Sequence, residues 1–279
     1  MTVNELCRQG AEILEDSGVD NAGFDARCLL EFLLNIDTTR YMLIRNDKVD
    51  IRTYNDYMSF IRRRATGEPL QYILGKWEFM DGEFFVGEGV LIPRPETELL
   101  VDFTVDFLKN KENPIVFDLC SGSGCIAISV ANAVKNSTVY AVEKFDAAYS
   151  FLKKNIEHNN AENVIAVKGD IFDSSLLKDI QPDLILSNPP YIRSSDMPFL
   201  QREVRKEPST ALDGGDDGYD FYRVLASDWL QRIPKGGAMA VECAEDQTEE
   251  ISQMFFLSRS RVNTIKDLSG FPRVVTAVK

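Results

Sequence analysis

The chain has 279 residues, 44% of them hydrophobic, and a formal net charge of −13, which is enough length for one large or two smaller domains with real cores. The acidic balance argues against direct nucleic-acid binding over a broad surface, because such a footprint depends on clustered Lys and Arg neutralising phosphates. No stretch approaches the ~20 apolar residues of a membrane span, and the start Met1-Thr2-Val3-Asn4-Glu5 lacks a secretory signal, so no membrane partner and a cytoplasmic location are expected.

Five cysteines, Cys7, Cys28, Cys120, Cys125 and Cys243, are odd in number and form no Cys-x-x-Cys pair, so neither a disulfide framework nor a zinc site is indicated. The single histidine, His158, excludes a His-based triad or a His-rich metal centre, and no metal is expected. From Val3 to about Ala65, apolar residues such as Leu6, Ile13, Leu14, Leu29, Leu30, Tyr57 and Ile61 recur at three- and four-residue spacings, predicting four or five short helices in a small bundle. The run Arg62-Arg63-Arg64 reads as the solvated face of a helix, with a partner-facing patch as the other reading. Gly67-Glu68-Pro69 breaks the pattern. Tyr72 to Phe79 and Phe84-Phe85-Val86 then read as a β-hairpin around Asp81-Gly82. Leu91-Ile92-Pro93-Arg94-Pro95-Glu96-Thr97-Glu98 leads into a helix starting near Glu96, with acidic residues in its first turn. The expected division is a helical domain over 1–70, a hairpin linker over 71–92 and a third region over 93–279.

From Pro114 onward strands and helices alternate. The expected strands are 115–119, 139–143, 164–167, 184–186 and 238–242, with helices over 125–134 and 147–159 and a terminal hairpin from 262–265 and 274–278. This order means an α/β fold, a mostly parallel sheet with helices on both faces. The loop Asp118-Leu119-Cys120-Ser121-Gly122-Ser123-Gly124 falls where the first strand turns into its helix, the ligand-binding end of a doubly wound sheet. Gly122, Gly124 and Ala127 also satisfy G-x-G-x-x-A, a weak dinucleotide signature. Glu143, about 20 residues on, can grip ribose hydroxyls of either NAD or S-adenosylmethionine. Asp118 favours the latter, since a carboxylate there repels a pyrophosphate but not an amino group or a sulfonium. Asp170 is placed to reach an adenine edge with Ile171 beside the ring, and is equally readable as a helix N-cap.

Asn188-Pro189-Pro190-Tyr191 follows the apolar run Leu184-Ile185-Leu186. The Asn188 oxygen and the Pro189 carbonyl can accept both N–H bonds of an amide or exocyclic amine, the two prolines stiffen the loop, and Tyr191 can stack on a flat acceptor. Alone, the tetrapeptide is equally a Pro-rich turn. Together with the upstream loop it points to methyl transfer onto a planar nitrogen.

These segments, in this order, resemble the class I S-adenosylmethionine-dependent methyltransferases, and within them the glutamine N5-methyltransferases of peptide chain release factors. The matches specific to the latter are Arg63-Arg64-x-x-Gly67-Glu68-Pro69, the segment Leu91 to Glu98, and Val204-Arg205-x-Glu207-Pro208-x-x-Ala211-Leu212-x-Gly214-Gly215-x-Asp217-Gly218, so the resemblance spans essentially the whole chain. It implies a doubly wound, Rossmann-like domain with a mixed, mostly parallel seven-stranded sheet, preceded by the helical bundle and hairpin. It also implies transfer of a methyl group from S-adenosylmethionine to the side-chain nitrogen of the Gln in a release factor's Gly-Gly-Gln loop, by a monomer. On this reading Asp118, Cys120, Ser121, Gly122, Ser123, Gly124, Glu143, Asp170, Ile171 and Asn188 hold the cofactor. Asn188, Pro189 and Tyr191 are catalytic, and Asn188, Pro189, Pro190, Tyr191 and Arg94 hold the substrate. The sequence departs from the pattern at Cys120, where many members have Gly, and at Ile171, where an aromatic often flanks adenine. Amino-methyltransferases acting on adenine or guanine in DNA or RNA use the same tetrapeptide, but the acidic balance and the segment Arg94 to Glu98 count against them. An NAD-dependent oxidoreductase leaves Asn188 to Tyr191 unexplained, and a pure binding module leaves both elements idle.

Overall fold

The computed structural model of the chain describes residues 1–258 and 260–279. They form two compact units, Met1–Lys76 with Gln201–Lys206, and Trp77–Leu200 with Glu207–Lys279.

The first unit is helical: α1 (Val3–Asp16), α2 (Ala22–Leu34), α3 (Thr38–Ile44), α4 (Ile51–Ala65) and α5 (Leu70–Leu74). Local chemistry sets the starts. Thr2 and Glu5 close a reciprocal capping box on α1, and the Asp37 and Asp50 carboxylates accept from Arg40 N–H and Thr53 N–H at the heads of α3 and α4. Leu6, Leu14, Leu29, Leu30, Tyr57 and Ile61 are fully buried, as their spacing requires. Two expectations need correction. Tyr72-Ile73-Leu74 complete α5 rather than open the hairpin: Leu70 and Ile73 are buried, and Gly75, at φ 75°, ends the turn by donating to Gln71 O. Nor does Arg64 belong to a solvated face. It is buried, with Nε donating to Asp25 Oδ2 at 2.6 Å and Nη2 to Glu203 Oε1. Its neighbour Arg63 pairs with Glu68, and Arg202 donates to the carbonyls of Ala65 and Ser17. The six residues 201–206 are thereby fastened into the bundle by charge and hydrogen bonds.

The second unit begins at Trp77, within the hairpin formed by β1 (Lys76–Phe79) and β2 (Gly82–Phe85). A 3₁₀ turn, Pro95–Thr97, then precedes α6 (Glu98–Leu108), a tighter entry than the helix start expected at Glu96. The sheet is the mixed, mostly parallel one expected: β3 (Ile115–Leu119), β4 (Thr138–Glu143), β5 (Val164–Lys168), β6 (Leu184–Ser187), β7 (Ala238–Glu242), β8 (Arg261–Lys266) and β9 (Pro272–Val278), in the order β5-β4-β3-β6-β7-β9-β8. All pairs from β5 to β7 are parallel, and β9 runs antiparallel to both neighbours. Between the strands lie α7 (Cys125–Ala133) and α8 (Asp146–His158), then α9 (Asp220–Val224), a π turn at Leu225–Trp229 and α10 (Leu230–Arg232), and finally α11 (Thr248–Phe256). One face of the sheet packs Val116, Val139, Leu184 and Ala240 with α6 and α7 residues such as Leu100 and Ile128. The other packs Phe117, Ile185 and Val241 with Trp229, Tyr222 and Phe255. Strands apolar on both faces are what a covered parallel sheet needs.

Candidate active site

From β3 the chain winds outward through β4 to β5, then returns to β6 on the other side of β3 and proceeds to β7. This reversal between β3 and β6 is the switch point where doubly wound sheets open a crevice at the strands' carboxyl ends. Ser187 pairs with both Leu119 and Val241, so Cys120 and Asn188 leave the ends of β3 and β6 side by side, next to Glu242, the last residue of β7. The Ser187 hydroxyl donates to Leu119 O at 2.7 Å and ties the two central strands together at this edge.

A cavity opens there. Cys120, Ser121, Gly122 and Ser123 line one wall, and Glu143, Asp170 and Ile171 line the next. Glu143 Oε2 accepts from Gly122 N–H at 3.0 Å and Oε1 from Phe145 N–H at 2.7 Å, so its carboxylate sets the shape of the glycine loop while keeping lone pairs for a ligand. Burial raises its pKa, the backbone donors of Phe145 and Gly122 opposing the shift. Asp170 caps no helix: its Oδ1 accepts from Phe172 N–H in a turn, and its Oδ2 meets Lys144 Nζ at 2.8 Å. Ile171 is buried on the cavity wall, and the aromatics that its identity seemed to deny are nearby: Phe145, Phe172 and Phe221 also line the cavity, the last two edge to face at 5.2 Å.

Asp118 and Gly124 lie behind this wall rather than on it. Asp118 is fully buried, its Oδ2 accepting from Ala127 N–H at 3.2 Å, and desolvation pushes its pKa up to about 7. It closes the strand-to-helix turn from beneath, because the last residues of β3 alternate between the two faces of the sheet. Cys120 adopts φ 66° in the left-handed region, and burial pushes its thiol upward, out of the reactive range.

Asn188, Pro190, Thr97 and Arg94 also line the cavity. Pro189 and Tyr191 do not face the cavity; Tyr191 packs against the core beside Tyr222, and its carbonyl accepts from Gln247 Nε2 at 3.0 Å. The glycine motif downstream explains the loop's position. A Cβ at Gly214 would come within 2.7 Å of Tyr191 Cα and 2.9 Å of Pro190 O, so only glycine allows the two backbones to pack, joined by Ile192 N–H to Leu212 O and Gly214 N–H to Ile192 O. Arg94 lines the cavity with its guanidinium on Glu207 Oε1, while Glu207 Oε2 accepts from Ile92 N–H at 3.0 Å. The two motifs most specific in the sequence are thus joined at one buried carboxylate. Thr97 and Glu207 stood in the sequence only as members of the two family motifs and Glu242 only as the end of a strand, with no site role assigned to any of them; for Glu242 the available signal was an acidic residue closing the apolar strand Ala238-Met239-Ala240-Val241, the same one that identified Glu143.

The donor set suits S-adenosylmethionine. A buried carboxylate at Glu143 matches ribose hydroxyls, exposed aromatic and aliphatic walls match adenine, and no cluster of His, Cys, Asp and Glu among the described residues suits a metal. Among the described residues no helix is long and apolar enough to cross a membrane.

Comparison with known proteins gives two family matches, the PrmC N-terminal domain over residues 5–75 and the methyltransferase small domain over residues 97–215. The release factor glutamine methyltransferase of Clostridium botulinum is 35% identical over all of this chain and all of its own length. That of Geobacter sulfurreducens is 36% identical over 94% of this chain and 91% of its own. Among solved structures, the catalytic domain of human Mettl16 in complex with an RNA hairpin superposes with a TM-score of 0.57 at 13% identity, over 89% of this chain and 90% of that one, which shows a shared fold.

Proposed function

The chain belongs to the release factor glutamine methyltransferase family, and we propose that it methylates the side-chain nitrogen of the Gln in the Gly-Gly-Gln loop of a release factor. S-adenosylmethionine supplies, when bound, an electrophilic methyl group on a sulfonium. Glu143, Asp170 and the loop Cys120 to Ser123 would hold it, with Asp118 and Gly124 shaping that loop from behind. The observation that carries the reading is Asn188, half-buried in the cavity that the glycine loop also lines, its Nδ2 donating to Thr97 Oγ1 at 3.2 Å. Its Oδ1 is thereby left for an acceptor N–H, and the Pro189 carbonyl is the candidate partner for the second. An amide nitrogen is a poor nucleophile because its lone pair is delocalised. Fixing both N–H groups orients that lone pair and stabilises positive charge developing on the nitrogen. The N-methylated amide is acidic enough to lose its proton to water, so the lack of a catalytic histidine is no obstacle. Pro190 and Pro208 complete the lining near Asn188 and Arg94. The five free cysteines support a reducing, cytoplasmic setting.

Asn188→Ala is expected to lower kcat at least roughly 100-fold while S-adenosylmethionine affinity changes less than about fivefold, the pattern for a group acting on the transition state. Turnover on purified release factor, mass mapping of the modified residue and calorimetry check it. Near wild-type turnover in the variant, or modification of a residue other than the Gln, refutes the assignment.

A further inference from the structure

The segment Asn188 to Tyr191 has few groups of its own with which to hold a fixed shape. Pro189 and Pro190 carry no backbone N–H, so the middle of the loop can donate nothing to its surroundings. Its start is secured at Ser187, whose hydroxyl donates to Leu119 O at 2.7 Å. Its end is secured from the head of α11. Gln247, 3% exposed, donates from Nε2 to Tyr191 O at 3.0 Å and to Gly218 O at 3.2 Å, while its Oε1 accepts from Ala244 N–H at 3.2 Å. Both N–H bonds and the oxygen of the carboxamide are thus engaged. The partners also settle which way the amide faces: two carbonyls admit only the NH2, and the Ala244 N–H only the oxygen.

We propose that Gln247 is a positioning residue for methyl transfer, a staple that fixes the Tyr191 carbonyl and through it keeps Asn188 and the Pro189 carbonyl set for the acceptor amide. The inference rests on Asn188 being the residue that holds that amide. Transmission is short: between Ser187 and Tyr191 the two prolines lock φ, so a loop held at both ends has few torsions left with which to move Asn188. The second carbonyl on the staple extends the hold to the segment packed behind the loop. Ile192 N–H bonds Leu212 O at 2.9 Å, Gly214 N–H bonds Ile192 O at 2.8 Å, and the chain runs on to Gly218, where Gln247 joins the two segments again. A Cβ at Gly218 would come within 2.6 Å of Tyr191 O and 2.8 Å of Gln247 Nε2, so the last glycine of the motif is what lets the staple close.

The staple starts from a fixed backbone. Gln247 N–H donates to Ala244 O at 3.1 Å, and Gln247 O accepts at 3.1 Å from the N–H of Ile251, which is fully buried in the core with Phe117, Ile185 and Val241. Gln247 itself does not line the cavity, so its influence on the reaction runs through the loop it holds. No other side chain of similar size replaces it. A Glu would set a carboxylate against two carbonyls, a Met would offer them no donor, and an Asn is one methylene shorter.

In the full-length protein, Gln247→Met keeps the length of the side chain without its donors, and Gln247→Glu keeps an oxygen for Ala244 N–H while replacing both donors by an acceptor. With saturating S-adenosylmethionine and purified release factor, each should lower kcat roughly 10- to 100-fold, the scale of misplacing a reacting group by about 1 Å. Calorimetry should still find one S-adenosylmethionine per chain with Kd within about threefold, which assigns the loss to kcat. A residue that only stabilised the fold would lower the binding stoichiometry or Tm and leave kcat per bound cofactor intact. Gly218→Ala presses on the same staple from the other side: kcat should fall, and adding Gln247→Met should cost less than the product of the two single losses. In the wild type, both Gln247 Nε2 protons should exchange with solvent at least roughly tenfold more slowly than those of an exposed Gln. Wild-type kcat per bound cofactor in the Gln247 variants, fully multiplicative losses with Gly218→Ala, or Gln247 protons exchanging like exposed ones overturns the staple. If neither Gln247 variant binds cofactor, the wild-type exchange rates decide alone. Any of these results in a protein that methylates release factor leaves the proposed function standing, whereas a wild type that leaves the Gln unmethylated overturns both.

Discussion

Cys120 holds a left-handed conformation, φ 66°, at the tightest point of the cofactor loop. A Cβ there costs roughly 1 kcal/mol or more against glycine, which occupies this region freely. The half-buried thiol, packed against the core beside Ile171, recovers part of this. Cys120→Gly is therefore expected to change stability by less than about 1 kcal/mol and to leave S-adenosylmethionine binding intact. Cys120→Val, β-branched in a left-handed position, should destabilise by about 1–3 kcal/mol and weaken the cofactor. Denaturant unfolding and calorimetry on the pair give both numbers. Asp118 leads to a pH prediction. Its folded pKa, about 7, lies above the 3.8 of an ordinary Asp, so the native state holds its proton more tightly than the unfolded chain does. Its contribution is fully present below about pH 4 and is lost as pH rises through about 7. Stability of the apo protein, relative to Asp118→Asn, should fall between about pH 5 and 8; a flat difference would show that Asp118 stays ionised throughout. That Asp118 and Cys120 belong to the cofactor loop is visible in their order around the glycines. That one faces the cavity and the other lies beneath it depends on sheet faces and register, which short apolar runs leave open.

At the scale of elements, α4 shows how far local pattern carries. Its apolar face is written at helical spacing, yet Arg64 is buried because its partners are Asp25, 39 positions away, and Glu203, 139 positions away. A periodicity argument has no access to a partner in another element, so an Arg in a basic run reads as solvated. Asp25 is pulled both ways, burial raising its pKa and Arg64 opposing this. Breaking such a buried pair costs more than the pair contributes, because a charge is left uncompensated. Arg64→Met should accordingly destabilise the helical unit by about 3–5 kcal/mol, whereas the double variant Arg64→Met with Asp25→Leu should recover at least half of that loss. Chemical denaturation followed by helical circular dichroism measures it, and a single variant as stable as the wild type would refute the coupling. The helix α5 makes the complementary point. Leu70 to Leu74 is a short apolar run that suits a strand as well as a helical turn; burial of Leu70 and Ile73 and the left-handed Gly75 decide for the helix.

For the whole molecule, chain path matters more than domain content. The alternation of strands and helices from Pro114 made the parallel sheet readable, but nothing in residues 201–206 marks them as part of the helical unit. They are mostly polar, with no more regular structure than the 3₁₀ turn Val204–Lys206, and held by long-range partners: Glu203 by Arg64, and Arg202 by the carbonyls of Ala65 and Ser17. They also lead directly into Glu207, which holds Ile92 and Arg94, and Pro208, which lines the cavity. A fragment starting at Trp77 keeps Ser121, Gly122 and Glu143 and should bind S-adenosylmethionine within about tenfold of the full chain. It loses every one of the named partners of Arg202 and Glu203, so the segment carrying Glu207 should lose order. Its activity is expected to fall on intact release factor and also on a short Gly-Gly-Gln peptide that touches no helical domain. Full-length Arg202→Ala with Glu203→Ala should reproduce the peptide defect, at least roughly tenfold in kcat/KM, without removing any substrate-docking surface on the bundle. Steady-state kinetics on both substrates separate the contributions. Full peptide activity in the fragment would confine the helical unit to holding the protein substrate, and a normal double variant would locate the fragment's defect outside residues 201–206.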